Sequence, residues 1–222
     1  MGVFSGPEIN EDGLVFAVDA ANTKSYPSSG GTTWYDLSGQ GKSGTIDGAT
    51  HNSDGYFTFD GTDDYVNFRA DLNGPNLTLS TITASAWVNF DTATWVMGNG
   101  GQFRIRLQGT KVGFWIRELG DGSINELQSS TSTMSTGEWG NIVGTYDGTD
   151  QKIYHNGVEV ATTNPGLGFL DEGSNNLALG RSFFNSTHFF DGKLSVASIY
   201  NRALTAAEVA QNFNALRGRF GI

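Results

Sequence analysis

Three carboxylates stand close together in the stretch FDGTDDYVNF, residues 59–68: Asp60, Asp63 and Asp64. Calcium takes about six to eight oxygen ligands from the carboxylates and carbonyls of flexible loops, and this stretch can supply several of them. Asp and Gly are also the residues of tight turns, Gly because it tolerates positive φ and Asp because its carboxylate accepts from nearby amides. The Asp-Gly pair recurs at Asp12-Gly13, Asp47-Gly48, Asp54-Gly55, Asp121-Gly122, Asp147-Gly148 and Asp191-Gly192. Turn chemistry generates that recurrence. The residues alone leave two readings, a polar turn and a structural calcium site at Asp60, Asp63 and Asp64.

A second stretch with chemical potential is SFFNSTHFF, residues 182–190. Sugar rings stack on aromatic faces while amides and imidazoles bond to their hydroxyls. Phe183, Phe184, Asn185 and His188 are the binding candidates there. The competing reading is that Phe183, Phe189 and Phe190 pack inward, as most Phe side chains do. Trp87, Trp95 and Trp115 could line a sheet face, or lie in the core.

Catalytic arrangements are missing from the pattern. Glycosidases that work on a sheet face set their carboxylates on alternate residues of one strand, about 5 Å apart in retaining enzymes. The acidic run nearest to this, RELGDGSINE, is broken by a Gly-Asp-Gly turn. His51, His155 and His188 have neither a G-x-S-x-G elbow nor an H-x-x-x-H spacing beside them. The expectation is a protein that is not an enzyme.

The elements that must carry these residues are short strands. LVFAVDA (14–20), ITASAWVNF (82–90) and QFRIRLQ (102–108) alternate apolar and polar residues, with Arg104 and Arg106 facing away from Phe103, Ile105 and Leu107. YFTF and YVNF flank DGTDD and read as a hairpin, and KVGFWIRE follows QFRIRLQ after a Gly-Thr turn. Residues 138–163 hold three strands joined by DGTD and by Asn156-Gly157, a type I′ turn pair. Near the C-terminus Thr205 and Glu208 form a capping box with Leu204 ahead of it. Val209, Phe213 and Leu216 make one apolar stripe, and Gly218 is placed to end the helix.

Composition sets the bounds. The chain has 222 residues, 37% hydrophobic and only 16% charged, with 31 Gly and 4 Pro, which suits many strands joined by Gly-rich turns. A chain of this length buries a sizeable core without metal or disulfide staples. There is no Cys, so no disulfide exists. The net charge of −10 disfavours nucleic acid, whose phosphates are neutralised by Lys and Arg. No apolar run approaches a membrane span, and the first residues lack a basic and apolar leader. These readings give an N-terminal arm over residues 1–12 and one all-β domain, an antiparallel two-sheet sandwich with a short C-terminal helix, over 13–222.

Four segments in order, FDGTDDYVNF, ITASAWVNF, EWGNIVGTYDGTDQKIYHNGVEVA and FFDGKLSVASIYNRALTAAEVAQNF, resemble the laminin-G-like branch of the concanavalin A-like lectin/glucanase superfamily. The N-terminal segment GLVFAVDAANTKSYPSSGGTTWYDLSGQGKSGTI is similar to versions found in virion proteins of tailed phages. The resemblance implies a jelly-roll sandwich and a non-catalytic binding module for glycans or a host-surface polysaccharide. The implied setting is the virion, as an oligomer beside other virion proteins, with a structural calcium. A structural virion protein without a ligand is the alternative. Two departures stand out. DLSGQGK has Gln40 and Lys42 where the family often has Asn, and LSV has Ser195 where an acidic residue is usual, which weakens inheritance of a metal site.

Overall fold

Alternation decides which side chains meet in the middle, and the turns decide which strands pair. The computed structural model describes residues 8–68, 80–99, 101–118, 122–167, 177–181 and 188–222. In chain order the strands are β1 (Leu14–Asp19), β2 (Thr33–Trp34), β3 (Gly44–Asp47), β4 (Thr50–Asn52), β5 (Tyr56–Asp60), β6 (Tyr65–Phe68), β7 (Ile82–Thr92) and β8 (Trp95–Asn99). They continue with β9 (Phe103–Gln108), β10 (Lys111–Arg117), β11 (Ile124–Gln128), β12 (Trp139–Tyr146), β13 (Gln151–His155), β14 (Val158–Thr163), β15 (Leu177–Leu179) and β16 (Asp191–Tyr200). One helix, α1 (Ala206–Phe220), follows.

The strands form two antiparallel sheets. Sheet A runs β14-β13-β12-β7-β16-β5-β4, with β1 also paired to β16. Sheet B runs β11-β10-β9-β8-β15-β6-β3-β2. Between them lies one apolar layer in which Ile82, Ala84, Ala86 and Val88 of β7 face Phe103, Ile105 and Leu107 of β9, all buried. This is the expected all-β sandwich with one C-terminal helix.

Three local expectations are met. β9 and β10 form a hairpin, and β12, β13 and β14 form the meander. Asn156 and Gly157 both take positive φ, as a type I′ turn requires. The pairing expected at residues 56–68 is overturned. The DGTDD turn does not close a hairpin, because β5 pairs with β4 and β16 in sheet A while β6 pairs with β3 and β15 in sheet B. The turn is a corner between sheets. It lets Phe57 and Phe59 enter the core from one side and Val66 and Phe68 from the other.

Helix α1 begins as its sequence demands. Thr205 Oγ1 accepts from the Glu208 amide at 3.3 Å, and Glu208 Oε2 accepts from the Thr205 amide at 2.8 Å. Leu204, just before the cap, is buried in the same cluster as Val209 and closes a hydrophobic staple. The helix does not stop at Gly218. It runs to Phe220 and is capped by Gly221 in a left-handed conformation. Glycine inside a helix costs about 1 kcal/mol, and tertiary contacts beyond Gly218 offset it. Phe220 stacks on Trp87 at 4.1 Å, and Arg219 pairs with Asp19 at 2.8 Å.

Arg202 ties this end of the chain together, donating to Glu208 Oε1 at 2.7 Å and to Asn10 Oδ1 at 3.1 Å. Its guanidinium holds the Glu208 carboxyl down at about 2, well below the usual 4.5. A carboxylate that resists protonation when folded stabilises the fold fully above pH 4.5, and that contribution is lost as pH falls through about 2. Glu208 and Arg202 are partly solvated, which screens the pair. The stability difference between the native protein and Glu208→Gln is expected to shrink by about 1 kcal/mol from pH 6 to pH 2.5. Urea unfolding at the two pH values reads it, and a difference independent of pH would refute it.

Candidate functional site

The corner between β5 and β6 brings Asp60, Asp63 and Asp64 together, with one carboxylate oxygen from each within 4.8 Å of the others. Asp60 Oδ1 accepts from the Thr62 and Asp63 amides at 2.8 and 3.3 Å, and Asp64 Oδ2 accepts from the Asp60 amide at 3.0 Å. The carboxylates of Asp60 and Asp64 thus satisfy the corner's own backbone. The Thr62 amide pulls the Asp60 carboxyl below its ordinary value. Burial pushes Asp64 up, helped by the charges of Asp60, Asp63 and Asp47. The glycine of every Asp-Gly pair that the sequence repeats, and Gly61 of this corner, has positive φ. Turn formation accounts for all of them except Gly192, which sits at a register shift inside β16.

The loop DLSGQGK is organised by one carboxylate. Asp36 Oδ1 accepts from the Ala17 and Ser38 amides, and Oδ2 from the Ser38 hydroxyl and the Lys42 amide, at 2.8–3.0 Å. Ser195, where an acidic residue is usual in the family, is buried and bonds to the Gly55 carbonyl and to Arg219.

Of the aromatic loop, Phe183, Phe184 and Asn185 lie outside the described residues. His188 is exposed and Phe189 half-buried. Phe190 is fully buried against Phe59, ring centroids 5.8 Å apart, so at least this Phe is core. A bridge pairs Arg181 with Phe189 across the loop's base. Arg181 lies over the Tyr65 ring at 3.8 Å.

The tryptophans separate by face. Trp87 points out of sheet A and is sealed beneath α1, stacked on Phe213 and Phe220. It shares no surface with Trp95 and Trp115, which point out of sheet B. There the register sets a row across five strands. Trp115 on β10 opposes Arg104 on β9, Arg104 opposes Gly98 on β8, Gly98 opposes Ala178 on β15, and Ala178 opposes Asn67 on β6. The Arg104 guanidinium lies 4.3 Å from the Trp115 ring centroid and 5.1 Å from that of Trp95. Arg106 lies 5.3 Å from Trp95 and pairs with Glu126.

Arg104 is only 8% exposed although its strand face points away from the core. Burial, with some repulsion from Arg117, lowers its pKa to about 10. Gln102 continues the β9 ladder, its carbonyl accepting from the Arg117 amide at 3.0 Å. By alternation it falls on the side of Arg104. Gln102 is 1% exposed, and its Nε2 is without a hydrogen-bond partner, as is Oδ1 of Asn67. The alternation of Arg104 and Arg106 was readable in the sequence. Gln102 and Asn67 carried no signal there, because their meaning comes from burial.

Other features are plainer. His51 stacks on Tyr26 at 4.4 Å and its Nε2 lies 2.9 Å from the Ala20 carbonyl. Both line a cleft of about 690 Å³ at one end of the sandwich. His155 lines a different cleft of about 380 Å³, and burial keeps it neutral to lower pH than usual.

No curated protein matches the chain in sequence. Among solved structures, the receptor-binding domain of a botulinum neurotoxin C/D mosaic serotype is similar, with TM-score 0.70, 12% identity and 92% of this chain covered. The receptor-binding domain of botulinum neurotoxin type G gives 0.64, 14% and 91%. The binding domain of Paraclostridial Mosquitocidal Protein 1 gives 0.65, 19% and 92%. The chain spans about half the length of each, 51%, 51% and 52% respectively. At these identities the likeness shows the fold. The model of the concanavalin A-like lectin/glucanases superfamily matches residues 60–210, the larger part of the chain, and the protein belongs to that family.

Proposed function

We propose that the protein is a non-catalytic binding module that recognises glycans or a glycan-bearing surface through the outer face of sheet B. The observation that carries this is the contrast between the two outer faces. On sheet A, α1 packs over Trp87 and leaves a cleft of about 410 Å³ beside it, while sheet B presents half-buried Trp95 and Tyr65, with Trp115 beneath Arg104, interleaved with guanidinium and amide groups. Aromatic faces set among a few oriented polar groups are the composition of sugar sites. The aromatic loop that holds Phe183, Phe184, Asn185 and His188 starts beside this face, since Arg181 stacks on Tyr65. The fold neighbours named as receptor-binding domains support a binding role.

The setting in a tailed-phage particle, with many copies raising avidity without new contacts, rests on the resemblance of the N-terminal segment. Calcium at Asp60, Asp63 and Asp64 belongs to the proposal only as a weak structural ion. A core of this size folds without it. The test is a saccharide array probed with the native chain and with Trp95→Ala, with and without a chelator. Binding that falls at least tenfold in Trp95→Ala and survives chelation is expected. Binding to no saccharide, or turnover of any of them, overturns the proposal.

A further inference from the structure

We infer that the cleft between α1, the N-terminal arm and the outer face of sheet A binds a linear aliphatic diamine or polyamine, its ammonium groups set apart by an apolar chain. The site lies on the sheet opposite the saccharide face and is independent of that reading.

The hollow has a cause in the sequence. Its floor is a row of small outward side chains, in which Ser85 on β7 opposes Ser198 on β16 and Ser198 opposes Ala17 on β1. Two residues along the same strands, and so on the same face, stand the much larger Trp87 and Tyr200. Helix α1 rests on both, with Phe213 and Phe220 stacked on Trp87 and Asn212 donating to the Tyr200 hydroxyl at 3.0 Å. It therefore bridges the small row instead of packing into it, with Ala215 and Leu216 as the roof. The cleft that remains is about 410 Å³, the size of a small-molecule site.

The polar wall of the cleft accepts hydrogen bonds. Asn141 lines it and is only 3% exposed. Its Nδ2 donates to Ser85 Oγ at 3.2 Å and to the Ala86 carbonyl at 3.3 Å. A carbonyl can only accept, so the amide's orientation is fixed and Oδ1 is the atom left to the cleft. Among the described residues nothing donates to it. At the other end Asp19 Oδ1 accepts from Arg219 and from the Ala21 amide, which leaves Oδ2. Exposed Glu8 and Glu11 add two carboxylates to the rim. None of the described residues that line the cleft is Lys, Arg or His. An ammonium only donates, and its bonds to carboxylates are of the stronger, charge-assisted kind. Register sets the length. Asn141 opposes Trp87, Trp87 opposes Val196, and Val196 opposes Asp19. Three strand spacings put the two acceptors about 14 Å apart, and a hydrogen bond at each end leaves about 8–9 Å between donor nitrogens, roughly a six-carbon diamine. Half-buried Val196 and Leu216 supply apolar surface for the methylenes between them.

The experiment is calorimetric titration of the native chain, at low ionic strength, with hexane-1,6-diamine, hexylamine and hexane-1,6-diol. The diamine is expected to bind about tenfold or more tightly than either of the others, and to weaken as salt is added. Ser198→Leu fills the hollow from its floor and Ala215→Leu from its roof. Both are expected to abolish diamine binding while the melting temperature stays the same or rises, and using both keeps the readout from hanging on one substitution. Glu8→Gln with Glu11→Gln removes rim charge from exposed side chains and is expected to weaken the diamine about threefold or more. Equal or tighter binding of the diol overturns the cationic class. Equal binding of hexylamine overturns the two-ended seat. Unchanged binding in a folded Ser198→Leu or Ala215→Leu protein overturns the site. No binding of the diamine at millimolar concentration overturns the inference and leaves saccharide recognition by sheet B untouched.

Discussion

Replacing Trp87 with alanine is expected to lower the unfolding free energy by about 3–5 kcal/mol, the range for deleting a buried aromatic. Trp87 is 2% exposed although it points out of its sheet. It is buried because Phe220 and Phe213 lie on it, with ring centroids 4.1 and 5.6 Å away and planes within 13° and 8°. A 15-residue helix is marginal on its own in water, so α1 depends on this stack. Two readouts should move together, the urea midpoint and the helical component of the circular dichroism. A loss below about 1 kcal/mol would mean that α1 is held by its polar contacts to Asn10, Glu8 and Asp19 instead.

Gly144→Ala is expected to cost about 1–3 kcal/mol by overpacking. Gly144 is on β12 with its α-carbon facing the core, and the Phe114 ring of the other sheet lies directly over it. An added β-carbon would stand 2.4 Å from two atoms of that ring. An aromatic ring inside a close-packed sandwich cannot bend aside as a long flexible chain could. The cost belongs to the pair, so it should fall by more than half in a Phe114→Leu background. A double-mutant cycle tests this. Equal costs in the two backgrounds would place the strain elsewhere along β12.

Periodicity reports which face a side chain takes and is silent about which strand lies alongside. For that reason the inward set of β7 and β9, the meander and the start of α1 were legible in the sequence, whereas the β5–β6 corner was misread as a hairpin. Its two strands alternate as a hairpin's would, and only long-range pairing with β16 and β3 separates them. Gly218 carried a stop signal that Phe220 and Arg219 override through contacts far away in sequence. The short strands β2, β3, β4, β8 and β11 were missed because two to five residues carry too little pattern. The candidate site shows the same division. Asp60, Asp63 and Asp64 were visible as a cluster, and what they do first is hold a turn. Arg104 was visible as an outward residue on its strand, but Arg117 and Trp115 became its neighbours only through the β9–β10 register.

The arm at residues 8–12 and the helix lie together. Gln211 donates to the Glu8 carbonyl at 2.9 Å, Asn10 accepts from Arg202, and α1 packs over Trp87 on the outer face of sheet A. Both described ends of the chain therefore leave from one side of the sandwich, and the arginine–tryptophan row faces the other. A surface or scaffold that holds the chain by either end would present the same face to solution in every copy. Reach and spacing of the copies would then depend on the tether, while recognition stays unobstructed.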